Sequence, residues 1–280
     1  MAVDVAPPTT LLDGAFNVRK VNAKKLADGY TLKKRLMEYC YLSVATYLWV
    51  SHILIVAHYF MHGENSSLGE LLWSPVMVAL AMVLSDFISG VAHWSFDTWG
   101  TPETFFFGSF IRSFREHHVN QMAITKHDFV ETNADTTLPL IPVLLVQRYF
   151  LCYANAGNQS PPCGVNRSNV GMHVFLLTLT LFIALTNELH KWAHTPAPHY
   201  LIRLLMRCGV VLTPKVHRRH HNGRYDSCYC ITTGWLNAPL DKIDFWRRAE
   251  KLVSALTGAV PRANDREMLG VHCEVGGNPE

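Results

Sequence analysis

Charge is scarce in this sequence. Only 17% of its 280 residues are Asp, Glu, Lys or Arg, against 49% hydrophobic, a balance sparse in charge for a soluble protein that leans toward the membrane class. The net charge of +3 is thin as well, and without a concentrated basic face it argues against nucleic acid as a partner. No long apolar run occupies the first 38 residues, so no cleavable signal peptide is expected. Seven cysteines without regular spacing supply no disulfide framework. Cys152 and Cys163 are the pair that could join on one side of the membrane, whereas Cys228 and Cys230 lack the gap of a zinc knuckle and read as a strand or loop pair. Also missing is any His-Glu-x-x-His, which excludes the common metalloprotease arrangement.

What is present is apolar length. Residues 39–61 hold no charged group, enough to cross a hydrocarbon core as a helix. Further spans are read at about 70–92, 136–154 and 170–190. Asp86, near the end of the second, is costly at membrane depth and therefore a functional hint. Pro139, Pro142 and Arg148 interrupt the third, and the long Arg148 stem can carry its charge to an interface. Lys and Arg crowd the N-terminus, the middle loop and the C-terminal third, so the positive-inside bias sets both termini and the middle loop in the cytosol. The sequons at Asn65, Asn158 and Asn166 then fall in the two lumenal loops. Two amphipathic stretches read as helices resting on cytosolic headgroups: 198–212, with Arg203 and Arg207, and that from Asp241, where Ile243, Phe245, Trp246, Ala249, Leu252, Val253 and Leu256 alternate with Lys242, Arg247, Arg248 and Lys251. The expected fold is an all-α membrane protein of about four transmembrane helices under a cytosolic, histidine-rich cap, with tails at 1–38 and 264–280 around a core at 39–263.

Fifteen histidines are the chemical content. His217, His220 and His221 sit at i, i+3 and i+4 on one helical side, a spacing that suits metal ligation. The topology, assigned from Lys and Arg alone, puts nine histidines on the cytosolic side: these three with His93, His117, His118, His127, His190 and His194. Asp86, His93 and Asp97 share a stripe, as do Asn187, His190 and His194. A carboxylate or amide on such a stripe orients a ligating ring by accepting its second N–H, the part assigned to Asp86, Asp97 and Asn187. His127 stands between ligand and orienting residue. His52, His58, His62, His173, His199 and His272 lack partners and read as structural or interfacial. Eight or nine imidazoles exceed what one ion takes, so two metals are implied, and iron, copper or zinc fits by ligand type. A site at the membrane face above an apolar bundle suggests redox chemistry on a lipid chain. Taking hydrogen from an unactivated methylene needs a strong oxidant, which two irons and dioxygen supply.

The segments Ser85-Asp-Phe-Ile-Ser-Gly-Val-Ala-His-Trp94, Phe114-Arg-Glu-His-His118, Ile124-Thr-Lys-His-Asp-Phe129 with Glu131-Thr-Asn133, Asn187-Glu-Leu-His-Lys-Trp-Ala-His194 and Thr232-Thr-Gly-Trp-Leu-Asn237 together resemble the Kua family, the plasmanylethanolamine desaturases. The resemblance runs from about residue 32 to 263. It implies an endoplasmic reticulum membrane enzyme with a histidine-bound diiron centre that forms the vinyl ether of plasmalogens from an ether phospholipid. Dioxygen is the implied oxidant, with electrons from cytochrome b5 and an NAD(P)H-dependent reductase. The implied catalytic residues are His93, His117, His118, His190, His194, His217, His220 and His221. Against the boxes of ordinary fatty acyl desaturases, Phe114 stands where a His-x-x-His-His would begin and Asp97 replaces a histidine. Arg112, Arg115, Lys126, Arg218 and Arg219 are candidates for phosphate or carrier contact. A fatty acyl or sterol desaturase or hydroxylase, and a scaffold holding structural zinc, remain the alternative readings.

Overall fold

The computed structural model describes residues 20–263 apart from 26–27, 29, 63–67, 106, 155–163, 166–168 and 223–224. The three sequons, Cys163, His272 and both distal tails lie outside the described residues. Among the described residues every regular element is a helix.

Helix α1 (Leu32–His62) buries Ala45, Leu48, Trp49, His52, Val56 and Tyr59, a stripe at steps of three and four. Its other faces are also apolar, with Tyr47, Val50 and Leu54 exposed; a helix apolar all round belongs in lipid. Residues 32–38, expected in the tail, form its first two turns. They dock there because Lys34 pairs with Asp135 at 2.7 Å and Arg35 with Asp128. Helix α2 (Leu68–Thr98) carries a buried stripe of Met82, Ser85, Asp86, Ser89, His93 and Asp97. After α3 (Gly108–Val119) and a 3₁₀ turn (Ala123–Lys126), Asp128 caps α4 (Phe129–Thr137) by accepting from the N–H groups of Val130 and Glu131. Pro139 then starts α5 (Leu140–Tyr149), which ends in a π turn (Phe150–Ala154).

Helices α6 (Val170–Ala184) and α7 (Thr186–His194) meet at a bend of 45°. Hydroxyls cause it. Thr186 donates to the carbonyl of Phe182 at 3.0 Å and Thr136 to that of Ala184 at 2.8 Å, pulling helix carbonyls off their ladder. Four short helices follow: α8 (Tyr200–Arg207), α9 (Pro214–His221), α10 (Asn237–Lys242) and α11 (Phe245–Thr257). Helix α9 starts on the Thr213 cap with Pro214 in its first turn, where a missing N–H costs nothing.

Residues 32–62 and 72–98 are long and apolar enough to cross a membrane, and the bent α6–α7 pair is a third such segment. The stretch from Leu140 to Cys152 is apolar but shorter, about 20 Å of helix against a core of about 30 Å. In the middle of the bundle Trp49 packs on Leu144 and Ala184 and donates its indole N–H to Thr180 at 2.9 Å. Helix α8 buries no residue and leaves Tyr200, Leu201 and Leu204 exposed, as an interfacial helix should. Helix α11 differs from its expectation. Trp246 is 2% exposed and packs with Ala249 and Val253 on Trp94, Tyr229 and Cys230, so that face meets protein, and only Ile243, Leu252 and Leu256 remain for a headgroup layer. Cys228 and Cys230 lie buried in the loop before α10, while Cys152 is disulfide-bonded.

Candidate metal centre

Four helices deliver side chains to one buried point, and helix geometry sorts them. Positions i and i+4 face the same way, whereas neighbours in sequence diverge by about 100°. His190 and His194 of α7 therefore stay together, as do His217 and His221 of α9, and His117 of α3 completes a group of five. The neighbours His118 and His220 point elsewhere and join His93 and Asp97 of α2 in a second group. Within each group the potential ligand atoms all lie within 4.8 Å of one another.

In the first group the Nε2 atoms of His190 and His217 stand 2.8 Å apart, those of His217 and His221 2.8 Å, and those of His117 and His221 3.0 Å. Two nitrogens about 2.1 Å from one ion and at right angles to each other are about 3 Å apart, so these separations suit a shared cation. In the second group the protonation pattern makes the same point. His93 donates from Nδ1 to the carbonyl of Tyr229 at 3.0 Å, and His220 from Nδ1 to that of Ser227 at 2.8 Å. With the proton on Nδ1, each Nε2 presents a lone pair. Those lone pairs face Asp97 Oδ2 at 3.0 and 3.4 Å, with His118 Nε2 also at 3.4 Å. Lone pairs directed at a buried carboxylate repel it unless a cation lies between. Among the described residues both Asp97 oxygens lack a hydrogen-bond donor, and His117 Nδ1, His217 Nδ1 and His221 Nδ1 have no hydrogen-bond partner.

Burial and mutual repulsion hold His117, His217 and His221 far below the ordinary imidazole range. His118 is pushed down to about 3, burial outweighing the opposite pull of Asp97. These rings are neutral, the form that ligates. Their folded pKa lies below the unfolded value of 6.5, so the unfolded chain takes up more protons as the pH falls. Stability is thus fully present above about pH 6.5 and lost progressively toward pH 3. For the metal-free chain we expect a midpoint of thermal unfolding that falls from pH 7 to pH 5; a flat profile would remove the neutral cluster.

Not every anticipated residue arrives. His127 lies outside both groups: its carbonyl accepts from Lys191 Nζ at 2.7 Å, and its ring is 3.7 Å from Glu131. It follows the 3₁₀ turn, which leaves its carbonyl toward α7 and its ring beside Glu131 of α4 rather than in the centre. Asn187 lines an apolar cavity instead of holding a ring. Asp86, fully buried, accepts from Thr232 Oγ1 and from the N–H groups of Thr233, Gly234 and Leu236 at 2.8–3.0 Å. It orients no imidazole directly. Its loop, however, carries the Ser227 and Tyr229 carbonyls, so Asp86 reaches the second group through the backbone. Asp86→Ala would orphan three backbone N–H groups, that of Thr233 buried and those of Gly234 and Leu236 partly so, at roughly 2 kcal/mol or more. We expect a lower unfolding midpoint together with weaker metal retention, and an unchanged midpoint would refute the tether. Asp97 sits among the ring nitrogens as a potential ligand, where the sequence assigned it an orienting part. Arg112 is paired with Glu116 at 3.2 Å and Arg115 is 4% exposed, which leaves Lys126, Arg218 and Arg219 as the exposed members of the basic set.

Sequence reasoning missed the two carbonyls, since a backbone oxygen carries no residue signature, and it missed Tyr225, whose ring stacks on His118 at 4.5 Å. The Asp97 position did leave a signal: His93 and Asp97 are spaced by four, as are His190 with His194 and His217 with His221. Phe114 packs on the His93 ring at 5.2 Å and lines a cavity of about 440 Å³ with Ile88, Ala92, Phe96, Phe110 and Asn187. Beyond Phe96 and Phe107 lies a second cavity of about 440 Å³ that reaches Trp99.

Residues 82–264 match the family described as the lipid desaturase domain. A mouse protein named plasmanylethanolamine desaturase 1 is 39% identical over 253 residues, 89% of this chain and 88% of the relative. A Myxococcus xanthus protein named plasmanylethanolamine desaturase is 37% identical over 249 residues, 89% of this chain and 82% of the relative. A probable fatty acid desaturase of Acanthamoeba polyphaga mimivirus is 31% identical over 201 residues, 69% of this chain and 89% of the relative. No solved structure matches the chain.

Proposed function

From the premise that this chain belongs to the lipid desaturase domain family and is a membrane-associated desaturase, we propose that it is a diiron plasmanylethanolamine desaturase of the endoplasmic reticulum membrane. The observation that carries the proposal is the division of eight histidines and Asp97 into two buried groups beside an apolar cavity. Two relatives at 37% and 39% identity that bear that name support the substrate assignment. The reaction removes two vicinal hydrogens from the alkyl chain beside its ether oxygen. Dioxygen takes up these hydrogens, two electrons and two protons, and leaves as two waters. Two bound irons would supply the oxidising power by activating dioxygen.

The chain's own residues do the rest. Five imidazoles would hold one iron, and His93, His118, His220 and Asp97 the other. Ile88, Phe96 and Phe110 offer the alkyl chain a water-poor slot, and Phe114 stands between that slot and the His93 ring. The membrane arrangement proposed is four spans, with the apolar stretch from Leu140 as the short third, both termini in the cytosol and the phosphoethanolamine head at the cytosolic interface.

Helix α9 presents its histidines inward and Lys215, Arg218 and Arg219 to solvent. An acidic electron carrier such as cytochrome b5 would be steered to that face, within one helix diameter of the metal groups. Turnover at limiting reduced cytochrome b5 should fall several-fold between about 0.05 and 0.3 M salt, with little change at saturating carrier. Salt-independent turnover would end the steering idea.

The direct test is vinyl ether formation by the purified chain given iron, dioxygen and a reductant. Fatty acid unsaturation without vinyl ethers would favour the second reading, an acyl desaturase, which the mimivirus relative's name keeps in view. About two irons per chain are expected on metal analysis; zinc alone would indicate a non-catalytic scaffold.

A further inference from the structure

At the end of the bundle remote from the histidine groups, α5 and α6 diverge around a third cavity, of about 680 Å³. Val143, Val146, Phe150 and Met172 form its apolar wall. Val146, Phe150 and Met172 are at least half exposed, so the cavity is a groove open on the flank of the bundle. That flank is apolar and faces hydrocarbon, where the available occupant is a lipid chain.

The groove has one polar end. Gln147 and His173, 1% and 3% exposed, both line it. The Gln147 side-chain amide donates to the carbonyl of His173 at 3.3 Å and lies 3.5 Å from the Nδ1 of the same residue. An NH₂ group facing Nδ1 makes that nitrogen the acceptor and leaves the ring proton on Nε2. Among the described residues no group accepts from Nε2. His173 also lies in the first turn of α6, a helix of 15 residues, where backbone N–H groups lack helical acceptors and the dipole is positive. A buried imidazole donor and a helix N-terminus thus converge at the mouth of an apolar groove, an arrangement that suits an anionic oxygen joined to a hydrocarbon chain. The depth agrees. His173 precedes His190 by seventeen residues, about 25 Å of helix, so this end lies at the opposite headgroup level from the metal groups.

We propose that the groove between α5 and α6 binds a glycerophospholipid, its acyl chain along Val143, Val146 and Met172 and a phosphate oxygen accepting the Nε2–H of His173. This lipid is distinct from any that reacts, because the metal groups lie at the other end of α6 and α7, about 25 Å of helix away. It would bridge α5 to α6 in the way a wedge holds two staves.

The test is native mass spectrometry of the full chain after relipidation with dioleoylphosphatidylcholine or dioleoylglycerol and transfer to mild detergent. One phosphatidylcholine per chain is expected, with dioleoylglycerol retained about tenfold less. Retention of phosphatidylcholine should fall about tenfold in His173→Leu, recover in His173→Gln, which keeps an N–H donor, and fall in Val146→Trp, which fills the groove without touching its polar end. A cooperative melt identifies folded samples; if His173→Leu fails to fold, Val146→Trp and the comparison of the two lipids decide. Equal retention of dioleoylglycerol overturns the phosphate contact, and unchanged retention in Val146→Trp overturns the site. Since no desaturation is read, the result stands or falls apart from the substrate assignment.

Discussion

His217→Ala is expected to lower turnover by more than about 100-fold and to leave a chain that still inserts but holds about one iron in place of two. His217 is the hub of the five-histidine group, with Nε2 at 2.8 Å from those of both His190 and His221. Losing the outer partner of a metal ligand typically costs 10–100-fold in affinity or activity, and losing the ligand itself costs more. Folding survives because removing one neutral ring from a crowded set relieves repulsion among those that remain, and α9 lies outside the segments long enough to span the membrane. His127→Ala is the contrast. Its ring is outside both groups, and turnover should stay within a few-fold of the unsubstituted chain. Iron analysis and turnover, measured on the same preparations, check both. Two irons and near-normal turnover in His217→Ala would sink the ligand assignment.

Ile88→Trp should reach a similar loss of turnover by the opposite route, with both irons retained. Ile88 lines the 440 Å³ cavity five residues before His93, so its side chain is clear of the ligands. An indole there would occupy space that the alkyl chain needs. The destabilisation from overpacking, normally about 1–3 kcal/mol, is reduced because the new atoms enter an existing void. We expect turnover down by more than about 100-fold, iron content unchanged, and Ile88→Ala close to normal; the large factor follows because even a 1 Å misplacement of reacting atoms can cost about 100-fold. Full activity in Ile88→Trp would place the substrate elsewhere. Together the two substitutions separate loss of metal from loss of access.

The helical architecture was legible because apolar length is a composition-level signal that survives without knowledge of contacts. The i, i+4 histidine pairs were legible for a similar reason, since a helix converts spacing into direction. What stayed hidden depends on tertiary placement. His127 has the right residue type on the expected side, yet the 3₁₀ turn at 123–126 directs it away. Asp86 looked like a partner for a ring, but a loop 146 residues further on takes its oxygens. For α11 the amphipathic pattern was read correctly and its counterpart was not, because Trp246 buried against Trp94 and Trp246 laid on headgroups give the same sequence.

The pairs His117–His118 and His220–His221 each send one ring to either group. Consecutive Cα atoms are 3.8 Å apart in any trans chain, so the separation of the two groups is gauged twice, on α3 and on α9, by a single peptide unit. Neither group can drift without dragging the other, because both are pinned to the same two peptide units. A change in that separation would need both helices to alter together, whereas a wall residue such as Phe114 can change size without altering it.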